Sequence, residues 1–142
     1  MPAAPCSEVT VTGASALPAR AVARAVQHVV AREQRRATIA VTFLGPRRMR
    51  ALNARYLKHD YVTDVISFGL PQPDGSVAGD VYVCRYAAAR QARRLGVPVR
   101  TELLRLLVHG TLHALGWDHP AGASRTTSPM WRLQERYVRQ VA

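Results

Sequence analysis

The stretch VTDVISFGLPQPDGSVAGDVYVC, residues 62–84, decides the sheet. Two β-branched, alternating runs, Val62–Leu70 and Gly79–Cys84, flank a turn-rich loop at 71–79. Asp74-Gly75 is its expected tip, because glycine tolerates the backbone a tight turn demands. The two runs therefore read as strands of opposite direction. Upstream, strands and helices alternate instead, and downstream only helices follow.

Working outward, SEVTVTG reads as a short strand with Val9 and Val11 facing inward. LPARAVARAVQHVVAREQRR carries Leu17, Val22, Ala25, Val26, Val29 and Val30 as one helical apolar stripe, with Arg20, Arg24 and His28 on the solvent side. ATIAVTFLG is a β-branched strand, and PRRMRALNARYLKHD a helix opened by Pro46. After the hairpin, RYAAARQARRLG is a basic helix closed by Gly96. VPVRTELLRLLVHGTLHALG is a helix from about Pro98 to Gly116, and SPMWRLQERYVRQ a closing amphipathic one. The order β-α-β-α-β-β-α-α-α predicts a single α+β domain over 1–142, a mixed four-stranded sheet packed with about five helices.

The chain's 142 residues suit one domain, and its 48% apolar content an ordinary folded core. Twenty Lys+Arg against nine Asp+Glu give a formal charge of +11, almost all of it arginine. Such a field attracts polyanions, nucleic acid first among them. The two cysteines, Cys6 and Cys84, form no spaced pattern. No secretory signal is legible, and no stretch approaches the roughly 20 apolar residues of a membrane span. The expected setting is a reducing cytoplasm with free thiols and no membrane partner.

Three of the five histidines fall in LLVHGTLHALGWDH, residues 106–119. His109 and His113 are four apart and share a helix face. Gly116 suits the left-handed turn at the helix end, which brings His119 back toward them. Three neutral imidazoles with an open fourth position make a catalytic zinc layout, with a water of lowered pKa in that position. The H-x3-H-x5-H spacing is that of the metzincin proteases, but Gly110 stands where they carry the general-base glutamate. Peptide hydrolysis by that mechanism is disfavoured.

Three blocks carry a wider resemblance. LLVHGTLHALGWDH resembles the H-G-x-L-H-x-x-G-[YWF]-D-H signature of the YbeY family of endoribonucleases. LNARYLKHDYVTDVISF and AGDVYVC resemble two further segments of that family, in the same order. The resemblance implies one zinc ion per chain on His109, His113 and His119, and cleavage of single-stranded RNA. It further implies late 16S rRNA 3′-end maturation and ribosome quality control, with rRNA and the small ribosomal subunit as partners. One departure stands out. The family's usual arginine after the tyrosine of the second block is Leu57 here. His59 is a weak catalytic candidate for its work, set against a plain surface histidine near a helix C-terminus.

Other residues carry two readings each. Asp118 is a ligand-orienting carboxylate or a turn former. Asp64 and Ser67 line the cleft or shape the strand entry, and Asp80 is expected to be buried. Glu102 is accounted for by the helix dipole. Two other functions stay open: a metal-dependent hydrolase of another substrate, and a non-catalytic, metal-containing ribosome-assembly factor.

Overall fold

The computed structural model describes residues 7–142; the loose start expected at 1–6, with Cys6, lies outside them. The elements run β1 (Ser7–Thr12), α1 (Ala19–Arg32), β2 (Ala37–Leu44), α2 (Pro46–Leu57), β3 (Val65–Pro71), β4 (Val77–Cys84), α3 (Arg85–Leu95), α4 (Val99–Ala114) and α5 (Pro129–Val141). This is the expected order. A 3-10 turn at Gly122–Thr127 is added in the link before α5, where no periodicity announces it.

The hairpin is as expected in direction and tip. β3 pairs antiparallel with β4 from Val65↔Val83 to Pro71↔Val77. Asp74 closes the turn by accepting from the Ser76 N–H at 2.9 Å and its hydroxyl at 2.6 Å, and Gly75 sits at φ +87°. The strand starts at Val65 rather than Val62. The Asp64 carboxylate accepts the Val65 N–H at 2.8 Å, a local bond that competes with sheet pairing at the strand entry. The sheet order is β1-β2-β4-β3, with β1, β2 and β4 mutually parallel and β3 reversed at the edge.

Alternation along the strands divides the core in two. Ile39, Val41, Val81 and Val83 face the larger cluster, built with Val22, Val26 and Val29 of α1 and Leu103, Leu107 and Leu112 of α4. Ile66, Cys84 and Met49 form the smaller cluster, with Leu52 of α2 packed against it. Cys84 is a buried free thiol. Asp80, expected to be buried, is exposed, because even-numbered positions of β4 below Tyr82 lie beyond the cover of α2. His28 is half-buried rather than solvated. Its Nε2 meets Gln140 Oε1 at 2.6 Å and its ring lies edge-on to Tyr137, so α5 covers part of the outer face of α1.

α4 lies unusually close to the hairpin. A Cβ on Gly69 would sit 1.9 Å from the Ala114 carbonyl oxygen, and one on Gly110 would sit 2.7 Å from Val81 Cγ1. Glycine on both sides of the contact lets helix and strand backbones approach. The end of α4 is also tied to distant elements. Glu33, just after α1, accepts from Trp117 Nε1 at 2.7 Å and from the Tyr137 hydroxyl at 2.6 Å. Arg35 donates to the Leu115 carbonyl at 3.0 Å.

Candidate metal centre

α4 ends with the Gly116 N–H on the His113 carbonyl at 2.9 Å and the Trp117 N–H on Leu112 O at 3.0 Å. Gly116 takes φ +105°, the left-handed turn its position predicts. The chain folds back, and one ligand-capable atom from each of His109, His113 and His119 lies within 4.8 Å of the others. The ring centroids stand 4.5, 5.1 and 4.9 Å apart in the three pairs. This group can hold a metal ion.

Each imidazole is held through Nδ1. His109 Nδ1 meets Gln134 Oε1 at 2.6 Å, His113 Nδ1 meets the Trp117 carbonyl at 2.9 Å, and His119 Nδ1 meets the Pro120 carbonyl at 2.9 Å. All three acceptors are oxygens, so each Nδ1 carries the proton and each Nε2 keeps its lone pair. Burial pushes the His109 pKa down to about 4, and burial lowers that of His113 as well. Neutral imidazoles with aligned lone pairs are what a divalent cation of the zinc type requires.

Gln134 belongs to a chain of polar groups. Its amide nitrogen donates to Glu135 Oε2 at 3.2 Å, which leaves Oε1 for His109. Arg105 donates to Glu135 at 3.1 Å and pairs with Glu102. Glu102 is only 1% exposed, so the helix dipole alone does not account for it; the Arg105 guanidinium compensates its buried charge. Gln134 belongs to no motif of the sequence. Its signal was a polar residue on the apolar stripe of α5, between buried Met130 and buried Tyr137 and Val138.

The cleft beside the histidines is about 460 Å³ and is lined by His109, His113, Trp117, Asp118, Ser67 and Leu57, among others. Ser67 thus lines the cleft, and Leu57 reaches it from the end of α2. His59 is not among the lining residues. It is exposed, with its ring against Tyr61 at 5.4 Å. Asp118 acts as a turn former, its carboxylate accepting the His119 backbone N–H at 2.9 Å. The residue after His109 does not face the cleft: Gly110 is directed at Val81 and Val65 of the sheet. A side chain there would meet strands, not substrate. The missing glutamate is therefore a matter of packing as well as chemistry.

The family model described as Endoribonuclease YbeY matches residues 9–142. A protein named Endoribonuclease YbeY from Micrococcus luteus is 40% identical over 135 residues, covering 88% of this chain and 85% of its own length. One of the same name from Anaeromyxobacter sp. (strain Fw109-5) is 44% identical over 106 residues, covering 72% of this chain and 55% of its own. The chain thus spans about half the length of several relatives it matches, including 48% of the Burkholderia ambifaria protein. The solution structure of TM1509 from Thermotoga maritima superposes with a TM-score of 0.67 at 26% identity, over 94% of this chain and 88% of that one.

Proposed function

Since the chain belongs to the endoribonuclease YbeY family, we propose that residues 1–142 act as one zinc-dependent endoribonuclease domain that cuts single-stranded RNA. The role we propose for it is late 16S rRNA 3′-end maturation and ribosome quality control in the cytoplasm, with rRNA of the small subunit as substrate. The observation that carries the reading is the meeting of His109, His113 and His119 beside a cleft lined by the first two, on a chain of formal charge +11. The three histidines are the metal ligands, one zinc ion per chain. When bound, the cation supplies Lewis acidity to the phosphodiester and to the attacking oxygen. Among the described residues no helix is long and apolar enough to cross a membrane.

The chain's own groups do the positioning. Gln134, the Trp117 carbonyl and the Pro120 carbonyl hold the imidazoles in one tautomer, so the donor geometry is preset before substrate arrives. Arg94 and Arg125, which line the adjoining cavity that also reaches His109, supply phosphate attraction that is blind to sequence. Water and the neighbouring ribose 2′-hydroxyl are the two available attacking groups. A strand with one 2′-deoxy residue at the cleaved linkage separates them, since only attack by water survives.

The deciding comparison measures RNA cleavage, peptide cleavage and ribosome binding by the wild type and by His113→Ala. Loss of RNA cleavage in a folded His113→Ala supports the endoribonuclease. Peptide cleavage by the wild type points to a hydrolase of another substrate, which the position of Gly110 opposes. Ribosome binding without cleavage by either protein points to an assembly factor, the reading that Leu57 favours by leaving the cleft without the family's arginine. Metal content well below one per freshly purified chain, with no uptake of added zinc, overturns the assignment of the three histidines.

A further inference from the structure

A second cavity, of about 490 Å³, shares His109 and Val65 with the histidine cleft. It lies between α3, α4, the 3-10 turn and α5. Leu106, Val97 and Trp131 give it apolar walls, and Arg94 and Arg125 stand in its lining as cations. The Arg125 guanidinium lies 5.7 Å from the centroid of the Trp131 ring. Trp131 is held in place at the start of α5, where its N–H donates to the Ser128 hydroxyl at 3.2 Å. Asp64, also in the lining, is anchored by Gln91, whose amide donates to it at 2.7 Å.

The volume falls within the few hundred Å³ that enclose a small planar ligand. Its chemistry combines a flat aromatic wall with the cations Arg94 and Arg125 and three carboxylates: Asp64, held by Gln91, and Glu102 and Glu135, both paired with Arg105. A smaller depression of about 230 Å³ shares Asp64, Gln91 and Arg94 with it and is lined by Tyr86, over which Arg90 lies at 6.0 Å. Two arginine–aromatic pairs thus flank Arg94, and the row leads to His109. Alternation of aromatic faces with cations is how proteins hold single-stranded nucleic acid, with bases stacked and phosphates neutralised.

We propose that the cavity beside His109 is a nucleobase pocket, in which the base of a nucleotide flanking the cleaved linkage stacks on Trp131. Arg94 and Arg125 hold the phosphates on either side of that base. Tyr86 receives a base farther along the strand. The pocket rests on the reading of the protein as a nuclease for single-stranded RNA. It adds a specificity element that the three histidines lack, because imidazoles at a phosphate do not distinguish one base from another.

The test measures binding, by fluorescence anisotropy, of a short labelled single-stranded RNA and of versions each lacking one base. With the wild type, removal of one base weakens binding about tenfold, while removal of distant ones changes little. Trp131→Ala weakens the intact strand by the same factor and binds the critical abasic strand no worse. Equal binding of every abasic strand by the wild type overturns the pocket, and needs no variant to fold. So does a Trp131→Ala protein that still distinguishes the strands. If these fail while the wild type cuts RNA, the pocket falls and the nuclease stands. If the wild type neither binds nor cuts any strand, the nuclease reading falls and takes the pocket with it.

Discussion

Gln134 is the residue on which the His109 imidazole depends. It is 1% exposed, and its two amide atoms are committed to opposite neighbours. In Gln134→Leu the His109 Nδ1 proton loses its acceptor and the ring its orientation. Zinc affinity, measured by competition with a chromophoric chelator, is expected to fall about 10- to 100-fold, with the melting temperature reporting separately on folding. Unchanged affinity would show that His109 is positioned by the helix alone. Leu57 and His59 make a second pair of expectations. Leu57 lines the cleft and His59 does not, so Leu57→Arg places a cation within reach of a bound phosphate. A charge-assisted contact raises RNA cleavage by about tenfold, whereas His59→Ala leaves kcat/KM within about twofold. The converse result would assign the arginine's work to His59. The histidine spacing made the meeting of three imidazoles legible in the sequence. The groups that hold them were not, because two are main-chain carbonyls, which carry no sequence signature, and the third comes from a helix 25 residues away.

At the scale of elements, the hairpin and α4 determine the site together. Asp74-Gly75 marked the turn, and alternation marked both strands, so the mixed sheet could be read directly. The closeness of α4 to the hairpin could not, since one glycine in a strand and another in a helix do not announce that they meet. In space the two serve one contact. Replacing Gly110 by alanine adds about 1 kcal/mol of helix propensity. It also drives a methyl to 2.7 Å from Val81 Cγ1 and 3.1 Å from Val65 Cγ2. Valine side chains are stiff at χ1 and cannot swing aside, so overpacking of about 1–3 kcal/mol wins. Gly110→Ala is expected to lower the melting temperature by several degrees and to weaken zinc binding through displacement of His109 and His113. A more stable Gly110→Ala would mean that the sheet yields, and that the close approach is not what the glycine is for.

Across the whole molecule, the tie between Glu33, Trp117 and Tyr137 joins α1, the turn after α4 and α5. Burial, then the hydrogen bond to Glu33 and its charge, pushes the Tyr137 pKa up to about 12. The native state therefore keeps its phenolic proton at pH values where an unfolded chain, titrating near its ordinary value of about 10, has lost it. The stability this proton contributes is fully present below about pH 10 and is lost as the pH rises toward 12. Denaturant melts of the wild type should weaken across that window, and Tyr137→Phe should weaken less. Equal slopes for both proteins would remove Tyr137 from the linkage. None of this was visible in the sequence, where Trp117 lies in the histidine motif but Glu33, 84 positions away, belongs to no motif.

That Gln134 sits on α5 has a consequence for the order of synthesis. A chain made from its N-terminus contains His109, His113 and His119 before Gln134, 25 residues beyond His109, is joined to it. During that interval His109 lacks its side-chain acceptor, and Trp117 and Glu33 lack the helix that carries Tyr137. The nascent protein thus passes through a stage with its histidines present but unaligned. Only when α5 has been made and has docked does His109 gain the acceptor that fixes its ring, so the histidine group is completed together with the last helix of the fold.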